Sequence, residues 1–341
     1  MESFKQKLDQ YLGCVVPRII EEPLASHYRI LSQFLIEGGK RLRPICAYSA
    51  FNGYGGSGDI LPAAASVELM HCSSLVHDDI MDEDEFRRGH PTIFKQHSDR
   101  QKQGKGSNIF VDKKGKLGAS YAIIAGNILY SIGQHCLMES EFEPQKVLFA
   151  VRSYERTFRI VNDGQILDME MSTRRSATID EYINMVQMKS AALFELSLSL
   201  GAHFAGAKEE HIGALISFGR HMAIGFQIHD DILDLTDGKG HALGSDIKEG
   251  KMTIIVIHAL TNAKPTEKKE ILSHLGNGAA SSHEIDRVID MFTKTKSILH
   301  AQEEAKRQIS LSKKALVKAG LRKNEFDFFF GLADKMITRK K

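Results

Sequence analysis

Two clusters of aspartates have the residue types and the spacing to bind a divalent cation. In "HDDIMDEDEFRRG", Asp78 and Asp82 are four residues apart, which places them on one face of a helix. In "FQIHDDILDLTDG", Asp230, Asp231 and Asp234 repeat the pattern, again with a spacing of four between the first and the last. Carboxylate oxygens presented singly from two helices suit Mg2+, which keeps several waters and shares its coordination shell with substrate phosphates. The two clusters therefore predict a site for a metal ion and a diphosphate.

A single acidic cluster fits two interpretations, because acidic residues also line ordinary solvated helix faces. Two clusters of the same spacing, each preceded by apolar residues, favour the metal site. An EF-hand needs acids at alternate loop positions, a central glycine and a terminal glutamate. Neither cluster supplies that series, so we exclude an EF-hand.

Basic residues accompany the acidic clusters and could bind phosphate oxygens. Arginine forks do so bidentately, and lysine acts as a point charge. Isolated basic residues are ordinarily surface charge, so these gain weight only through their association with the acids. They are Lys40, Arg41 and Arg43 in "GGKRLRP", Arg87 and Arg88 in "RRG", and the single Lys189 and Lys251.

The elements that position these residues are predicted to be helices. The 341 residues are 42% hydrophobic and include only seven prolines, and no useful stretch alternates apolar with polar residues. Helical periodicity is clear in "ILPAAASVELMHCSSLVHDD" and "EYINMVQMKSAALFELSLSLGAHFAGA". Residues 190–207 are apolar or small almost all round, which predicts a helix buried inside a bundle that could line a cavity. The fold class is therefore all-α.

We predict one domain over residues 1–341, because no internal repeat or interdomain linker interrupts the pattern. The stretch 96–118 is rich in Gly, Lys and Gln and lacks helical periodicity. It is predicted to be a long surface loop inserted into the domain.

Overall charge and cysteine usage exclude several classes of partner. The net charge of +2 gives no global field for nucleic acid. Cys14, Cys46, Cys72 and Cys136 form no C-x-x-C pair, which is typical of free thiols in a reducing compartment such as the cytoplasm. No apolar run reaches about 18 residues, and the first residues lack the apolar core of a signal peptide, so no integral membrane segment is expected.

Six motifs occur along the chain in the order found in one family. They are "GGKRLRP" (38–44), "HDDIMDEDEFRRG" (77–89), "GQILDME" (164–170), "MKSAALF" (188–194), "FQIHDDILD" (226–234) and "GSDIKEGKMT" (244–253). With them the chain resembles the trans-isoprenyl diphosphate synthases, the polyprenyl synthetase family, over nearly its whole length. The resemblance implies an isoprenoid synthase-type helical bundle around a central cavity, with the two aspartate motifs facing each other at its mouth, in a homodimer.

The same resemblance implies a magnesium-dependent head-to-tail condensation. Isopentenyl diphosphate would react with an allylic diphosphate (dimethylallyl, geranyl or farnesyl) to give a trans-prenyl diphosphate. Metal ions and cations would stabilise the departing diphosphate, the isopentenyl double bond would attack the allylic carbocation, and the released diphosphate would accept the proton. By this resemblance Asp78 and Asp82 ligate two magnesium ions and Asp230 a third, with Asp234 supporting either through water or through contacts to the ligands themselves.

The resemblance also assigns the basic and polar residues. Because two diphosphates repel each other, each needs its own cationic seat. Arg87, Lys189 and Lys251 would contact the allylic diphosphate, and Lys40, Arg43, His71 and Arg88 would hold isopentenyl diphosphate. The Lys189 carbonyl, the Ser190 hydroxyl and Gln227 would face the carbocation, with water excluded.

Helical geometry refines the assignment around the first cluster. His71 is seven residues before Asp78, about two turns, so it projects from the same face, although it could also be a buried structural histidine. Asp79 and His77 are turned away from that face. Neither is included in the predicted site.

The chain departs from the family pattern at three places. Ser190 stands where the family has Thr, and Asn127 stands where it has Asp. His241 stands where the glycine-rich loop carries a lysine, and the nearby Lys239 could substitute for it. The missing lysine predicts lower or more pH-dependent activity.

Two other functions share parts of this pattern. Terpene cyclases resemble the chain in fold and first motif, but they replace the second motif and need no isopentenyl seat. A non-catalytic subunit of a heteromeric prenyltransferase would lose one acid motif, whereas this chain retains both. "DDILD" and "GGKRLRP" therefore favour the synthase.

Product length depends on what closes the cavity beneath the first aspartates. Ser74 is one turn below Asp78, and the family's length rule also concerns Ser73. Both are small, whereas short-product members place an aromatic residue there. We expect geranylgeranyl diphosphate or a longer product, with Met70, Val67 or a residue of a facing helix as the stop, unless a neighbouring helix or subunit already closes the cavity.

Overall fold

The computed structural model describes residues 2–18, 20–100, 113–236 and 243–338. Helices account for 79% of these described residues. In the described part, the only strands are two of two residues each, which pair antiparallel with Phe86 opposite Pro91. The all-α prediction is confirmed.

The contacts between Cα atoms divide the chain into two compact units. The first unit comprises Met1–Glu155 and Leu200–Gly206. Its elements are α1 (Glu2–Val15), α2 (Leu24–Ile36), α3 (Leu42–Gly53), α4 (Leu61–Met81), β1 (Phe86–Arg87), β2 (His90–Pro91), α5 (Ile93–Arg100), α6 (Lys113–Met138) and the first part of α7 (Pro144–Arg174).

The second unit comprises Arg156–Ser199 and Ala207–Lys341. After the rest of α7 it contains α8 (Ile179–Val186), a π-helical turn (Gln187–Ala191), most of α9 (Ala192–Phe204), α10 (Glu209–Thr236), α11 (Ser245–Glu249), α12 (Ile254–Asn262), α13 (Pro265–His274), α14 (Ser282–Lys294), α15 (Ser297–Leu316) and α16 (Lys323–Thr338). The prediction of a single domain over 1–341 is not tested by this division and stays a prediction.

Helix α4 carries the first acidic cluster and is held against α6 by small residues. Ala64 and Ala65 of α4 and Ala122 and Ala125 of α6 are fully buried in one apolar cluster. Small side chains let two helix backbones approach closely, so the end of α4 is fixed by its packing along its length.

Helix α10 carries the second acidic cluster and packs along α15 in the second unit. Ile228 and Ala305 are buried in the shared core. Gly225 allows the close approach, because a Cβ there would lie 3.2 Å from the carbonyl oxygen of Ala305. The apolar face that precedes the acids in the sequence is thus the face that anchors them.

The predicted loop 96–118 is helical at both ends. Helix α5 extends to Arg100 and α6 begins at Lys113, while residues 101–112 lie outside the described residues. Phe94 and His97 are buried, so packing stabilises α5 despite its polar composition. Gly118 allows α6 to approach α5, because a Cβ there would lie 2.6 Å from the carbonyl oxygen of Phe94. The loop prediction was wrong at these ends because a packing glycine resembles a loop glycine in sequence.

The helix predicted from residues 190–207 is observed as the π-helical turn and α9. Leu193, Phe194, Leu198 and Leu200 are all almost fully buried, as expected. In the parts of the chain that the structure describes, none of the helices has the length and apolar character needed to span a membrane.

Candidate active site

The first acidic cluster lies where a helix is least able to tolerate negative charge. Asp78 is in the last turn of α4 and Asp82 is its C-cap, and the last turn contains no basic residue. The partial negative charge at a helix C-terminus disfavours carboxylates. In α10, which ends at Thr236 and also lacks a basic residue in its last turn, Asp234 lies in the last turn and Asp230 lies in the turn before it. Both ends therefore suit a bound cation.

Arg87 of β1 supplies positive charge at the end of α4. Its Nη2 lies 3.5 Å from Asp78 Oδ2 and 3.5 Å from Asp84 Oδ2. Its Nε donates a hydrogen bond to Oδ1 of Asp79. These three carboxylates raise the pKa of Arg87 against the opposing effect of burial. The guanidinium is thus held beside the predicted metal ligand Asp78.

Asp79 was excluded by helical geometry, and it does point away from the solvent-facing side of α4. Its side chain is only 1% exposed. Burial raises the pKa of Asp79 to about 7, although Arg87 opposes the shift. Through its contact with Arg87, Asp79 therefore positions that guanidinium, a role that reasoning from the sequence missed. The arginine eight residues later was the available signal.

The motifs "GGKRLRP" and "RRG" meet in the first unit. Gly38 and Gly39 have φ angles of +82° and +110°, a conformation that favours glycine. Arg88 lies against both glycines, because a Cβ on Gly39 would be 2.9 Å from Arg88 Nη1. The predicted isopentenyl ligand Arg88 is therefore seated by the backbone of the other predicted motif.

His71 and Arg43 belong to the same basic cluster. Burial lowers the pKa of His71 well below its ordinary value, and the charges of Arg43 and Arg88 lower it further. Burial also lowers the pKa of Arg43, and the charge of Arg88 adds to that shift. Mutual repulsion of two guanidinium groups around a neutral imidazole is relieved by an anion. The cluster His71, Arg43 and Arg88 thus has the electrostatics of a phosphate site.

Arg41 and Lys40 differ from these residues. Arg41 is buried, and its backbone adopts the left-handed conformation, with a φ angle of 49°. It donates to Asp9 at 2.8 Å, to Glu68 at 2.8 Å and to the carbonyl oxygen of Leu35 at 2.5 Å. Arg41 therefore ties α1, α2 and α4 to the start of α3, whereas Lys40 is exposed.

The second cluster contains one carboxylate that organises protein structure. Asp234 is fully buried. It accepts a hydrogen bond from Ser245 Oγ at 2.5 Å and another from the backbone nitrogen of Asp246 at 3.1 Å. These bonds tie the "GSDIKEGKMT" motif to α10. Asp230, four residues earlier, is partly exposed.

A hydrogen-bonded chain orients the polar residues of the second unit. Tyr182 OH donates to Asp231 Oδ2 at 2.6 Å, and Gln227 Nε2 donates to Asp231 Oδ1 at 3.0 Å. The carbonyl oxygen of Gln227 then accepts from Ser190 Oγ at 3.2 Å. The sequence predicted Ser190 and Gln227 together, and the structure brings them into contact. The sequence named Asp231 in the second cluster but gave no sign that it orients Gln227, and it missed Tyr182, because nothing in their spacing connects the two residues.

Lys189 and Ser190 lie in the π-helical turn, a feature often found at functional sites. Gly164 of α7 packs directly on this turn, because a Cβ there would lie 2.4 Å from the backbone nitrogen of Lys189. One turn later, Asp168 Oδ2 is 2.7 Å from Lys189 Nζ. The glycine and the aspartate of "GQILDME" therefore both serve to place Lys189.

The remaining predicted residues occupy less constrained positions. Lys251 Nζ is 2.6 Å from Glu249 Oε2, and its backbone nitrogen donates to the carbonyl oxygen of Asp246. Asn127 is exposed on α6. Lys239 and His241 lie outside the described residues.

The donor set suits a hard cation that shares ligands with substrate. The candidate ligands in each unit are carboxylates, Asp78 and Asp82 at the end of α4 and Asp230 and Asp234 near the end of α10. Among the residues that the structure describes, no three acidic, histidine or cysteine groups form a metal cluster. A magnesium ion held by such carboxylates would complete its shell with water and phosphate oxygens, as Mg2+ commonly does.

Comparisons with known proteins agree on one family. A family model described as polyprenyl synthetase matches residues 25–292. The chain is 35% identical to the geranylgeranyl diphosphate synthase of Methanosarcina mazei, over 91% of this chain and 89% of the relative. It is 35% identical to the geranylgeranyl diphosphate synthase of Sulfolobus acidocaldarius, over 86% and 82% of the respective chains.

The fold is also similar to that of a solved enzyme, whose name matches those of the two relatives. The crystal structure of geranylgeranyl pyrophosphate synthase from Corynebacterium glutamicum, complexed with isoprenyl diphosphate and magnesium, aligns with a TM-score of 0.89. The alignment covers 99% of this chain and 98% of that chain at 25% identity.

Proposed function

The chain belongs to the polyprenyl synthetase family, and from that premise we propose that it is a magnesium-dependent trans-prenyltransferase. It joins isopentenyl diphosphate head to tail to an allylic diphosphate and releases a trans-prenyl diphosphate and diphosphate. The observation that carries this proposal is the pair of carboxylate clusters at the C-terminal ends of α4 and α10. The partial negative charge at each helix end favours a cation beside these carboxylates.

Asp78, Asp82 and Asp230 are proposed to hold three magnesium ions with the allylic diphosphate, with Asp234 in support. The magnesium found with isoprenyl diphosphate in the Corynebacterium glutamicum enzyme supports this choice of metal. The bound metal would stabilise the negative charge that develops as the diphosphate departs. The hydrogen bonds of Asp234 to Ser245 and Asp246 support an indirect role for it rather than direct ligation.

The basic cluster of the first unit is proposed to hold isopentenyl diphosphate. Arg43 and Arg88 supply charge, and the more exposed Lys40 joins them when substrate binds. Because its pKa is lowered, His71 remains neutral near pH 7 and contributes a hydrogen bond without adding to the repulsion between the two arginines.

Three cations are proposed to contact the allylic diphosphate, and each already has a carboxylate partner. Arg87 contacts Asp79, Lys189 contacts Asp168, and Lys251 contacts Glu249. These ion pairs fix the cationic groups before substrate arrives, so less ordering is needed on binding.

The allylic carbocation is proposed to be stabilised by oxygen dipoles of the second unit. Gln227 keeps its carbonyl oxygen towards Ser190 because its amide nitrogen is bound to Asp231. The Ser190 hydroxyl and the Lys189 carbonyl add to this set. None of these groups is a strong nucleophile, so they stabilise positive charge without trapping it. The proton of the condensed product passes to the departing diphosphate.

The product is proposed to be geranylgeranyl diphosphate or longer. Ser73 is fully buried on α4, and the partly buried Ser74 donates its hydroxyl to the carbonyl oxygen of His71 at 2.8 Å. Neither side chain is large enough to stop a growing chain. The names of the Methanosarcina and Sulfolobus relatives support a C20 product.

A cytoplasmic homodimer is proposed as the working form. Ile123, Ile124 and Met138 are about half exposed along one side of α6, at 49%, 51% and 55%. Such exposed apolar side chains, two of them adjacent in sequence, support burial against a second copy. The four cysteines are all free thiols, which supports a reducing compartment.

Incubation of the purified protein with magnesium, isopentenyl diphosphate and a labelled allylic diphosphate tests the proposed reaction. Chain elongation is expected. Cyclised hydrocarbon would identify a terpene cyclase, and the absence of any product would identify a non-catalytic subunit.

The same assay tests the metal ligands. Asp78→Ala and Asp230→Ala should each lower kcat by a factor of at least about 1,000, since each removes a group needed as diphosphate departs. Asp286→Ala, which removes an exposed carboxylate of α14, is the matched control and should retain activity. Near-normal turnover of either ligand variant at saturating magnesium would refute the assignment.

A further inference from the structure

The positive charge of the chain is concentrated at its C-terminal end. Residues 306–341 contain eleven lysines and arginines and three acidic residues, a net charge of +8. The whole chain carries +2, so the preceding 305 residues together carry −6. The near-neutral net charge of the chain is therefore the sum of a strongly basic C-terminal segment and an acidic segment that precedes it.

The basic segment forms a groove between α15 and α16, here called the α15–α16 groove. Its volume is about 480 Å3. Its lining combines three lysines with four apolar side chains, one serine and one aspartate: Lys306, Lys313, Lys314, Ile309, Val317, Phe330, Ile337, Ser310 and Asp334. Val317 is 69% exposed and Phe330 is 38% exposed. The surface is thus basic and apolar at the same place.

The groove has a buried aromatic base and exposed lysines at its edge. Phe329, next to Phe330 on α16, is fully buried and packs edge-on against Phe218 of α10, with ring centroids 5.4 Å apart. Lys313 Nζ lies 2.6 Å from Asp334 Oδ1 and 4.0 Å from the centroid of the Phe330 ring. Lys306 and Lys314 are exposed at the edge. Lysines of this kind can bury their stems along apolar surface and extend their ammonium groups to anions.

We propose that the α15–α16 groove docks on the surface of an anionic phospholipid bilayer. The lysines contact headgroup phosphates, while Val317 and Phe330 enter the interface between headgroups and acyl chains. The opposite charges of the two parts of the sequence turn the basic segment towards the negative surface. This inference depends only on the C-terminal helices and not on the proposed reaction.

A bilayer matches this surface better than a discrete anion does. The basic groups are lysines spread over two turns of α15, which provide charge without the fixed geometry that an arginine fork gives a single phosphate. The exposed apolar residues lie among them, where a soluble anion would leave them in water. A lipid surface accommodates both kinds of side chain at once.

Co-sedimentation of the full chain with lipid vesicles tests the proposal. The protein should bind vesicles of phosphatidylcholine with phosphatidylserine and should be released by high salt. Lys306→Gln combined with Lys314→Gln should weaken partitioning roughly 30-fold, because each basic residue near such a surface contributes about a factor of five. Val317→Ser should also weaken it, through the apolar contribution.

Lys268→Gln combined with Lys269→Gln is the matched control, since it removes the same charge from a neighbouring pair on α13. It should bind within about a factor of two of the unmodified chain, because its lysines lie outside the groove. Turnover without vesicles should be the same in all these variants, which separates a failure of docking from a failure of the proposed reaction.

Four outcomes would overturn the proposal. Equal binding to pure phosphatidylcholine would remove its electrostatic basis, and an equal loss in the α13 control would show that net charge alone matters. Displacement from vesicles by millimolar inorganic phosphate at constant ionic strength would indicate a discrete anion site. A fall in the sedimentation-equilibrium mass of the groove variant would indicate that the groove binds a second copy of the chain.

Discussion

Arg88 can lie across Gly38 and Gly39 because neither glycine carries a Cβ. Its neighbour Arg87 instead contacts the carboxylates at the end of α4. Two adjacent arginines thus serve two sets of partners. Arg41 and Arg43 also differ in their partners. Arg41 donates to the carboxylates of Asp9 and Glu68, whereas Arg43 belongs to the basic cluster with His71 and Arg88. Single residues, rather than basic motifs, define the two proposed diphosphate seats.

Substitution of one cation from each seat should affect different substrates. Arg88→Ala is expected to raise KM for isopentenyl diphosphate about tenfold or more, because a charge-assisted contact contributes roughly 1.5–3 kcal/mol. Lys251→Ala should instead raise KM for the allylic diphosphate. Steady-state kinetics in which each substrate is varied separately measure both effects. Equal changes in both KM values for either variant would contradict the assignment of separate seats.

His71 should make the folded protein sensitive to acid. Its pKa is lowered well below 6.5 by burial and by neighbouring arginines, so the unfolded chain binds its proton more readily. The contribution of neutral His71 to the free energy of unfolding is therefore fully present above about pH 6.5. It is lost as the pH decreases towards the folded-state pKa, by at most about 1.4 kcal/mol per pH unit. His71→Asn should reduce this loss.

Urea unfolding at pH 7 and pH 5 measures the effect of His71. The relevant quantity is the difference in unfolding free energy between the two pH values, since other histidines also contribute to it. His283→Asn, at an exposed position of α14, is the control and should leave the difference unchanged. An unchanged difference in the His71 variant would show that its protonation is not linked to folding.

At the scale of elements, the π-helical turn depends on the glycine that it packs against. A Cβ on Gly164 would lie 2.4 Å from the nitrogen and 2.8 Å from the Cα of Lys189, so the turn must move. Gly164→Ala should cost about 1–3 kcal/mol of stability. It should also lower kcat, since Lys189 and Ser190 move with the turn, while KM for isopentenyl diphosphate changes little.

Gly213→Ala provides the matched control for this effect. Gly213 lies within α10, and a Cβ there would meet nothing within 4 Å. The change should stabilise the protein by about 0.5–1 kcal/mol through helix propensity and leave kcat unaltered. Thermal unfolding and steady-state kinetics distinguish the two variants. If Gly164→Ala resembles Gly213→Ala in both measurements, the packing argument fails.

Helix α4 should also determine product length through its small residues. Ser73→Phe with Ser74→Phe should shift the products to shorter prenyl alcohols, measured by chromatography after dephosphorylation. Because Ser73 is fully buried, the double variant could fold poorly, so Ser74→Phe alone at a partly buried position is also needed. Unchanged products in a folded, active variant would place the floor of the cavity elsewhere.

At the scale of the whole molecule, the exposed apolar residues of α6, Ile123, Ile124 and Met138, should hold two chains together. Ile124→Lys combined with Met138→Lys should convert a dimer into a monomer, because buried charge without a partner is strongly unfavourable. Leu299→Lys is the control, since Leu299 is 50% exposed on α15. Sedimentation equilibrium measures the mass of each. A dimer that persists in the α6 variant would assign the interface to another surface.

The sequence by itself determined the all-α class, the two aspartate clusters and the order of six motifs, because these depend on residue type and local spacing. The family resemblance also named Ser190 and Gln227, whose predicted role towards the carbocation stays a prediction. All of these features lie within one helix or one short motif, or follow from a known family. Local periodicity and motif order are properties that a linear chain displays directly.

Only the tertiary structure showed that Asp79 holds Arg87, that Asp231 and Tyr182 orient Gln227, and that Gly118 is a packing glycine rather than a loop residue. Each of these depends on residues that meet across elements. Tyr182 and Asp231 are 49 residues apart, and neither has a local pattern that specifies the other. Their contact exists because helix packing excludes water and leaves each buried polar group to find a partner within the protein. That choice of partner is made by the packing of whole helices, which local sequence does not encode.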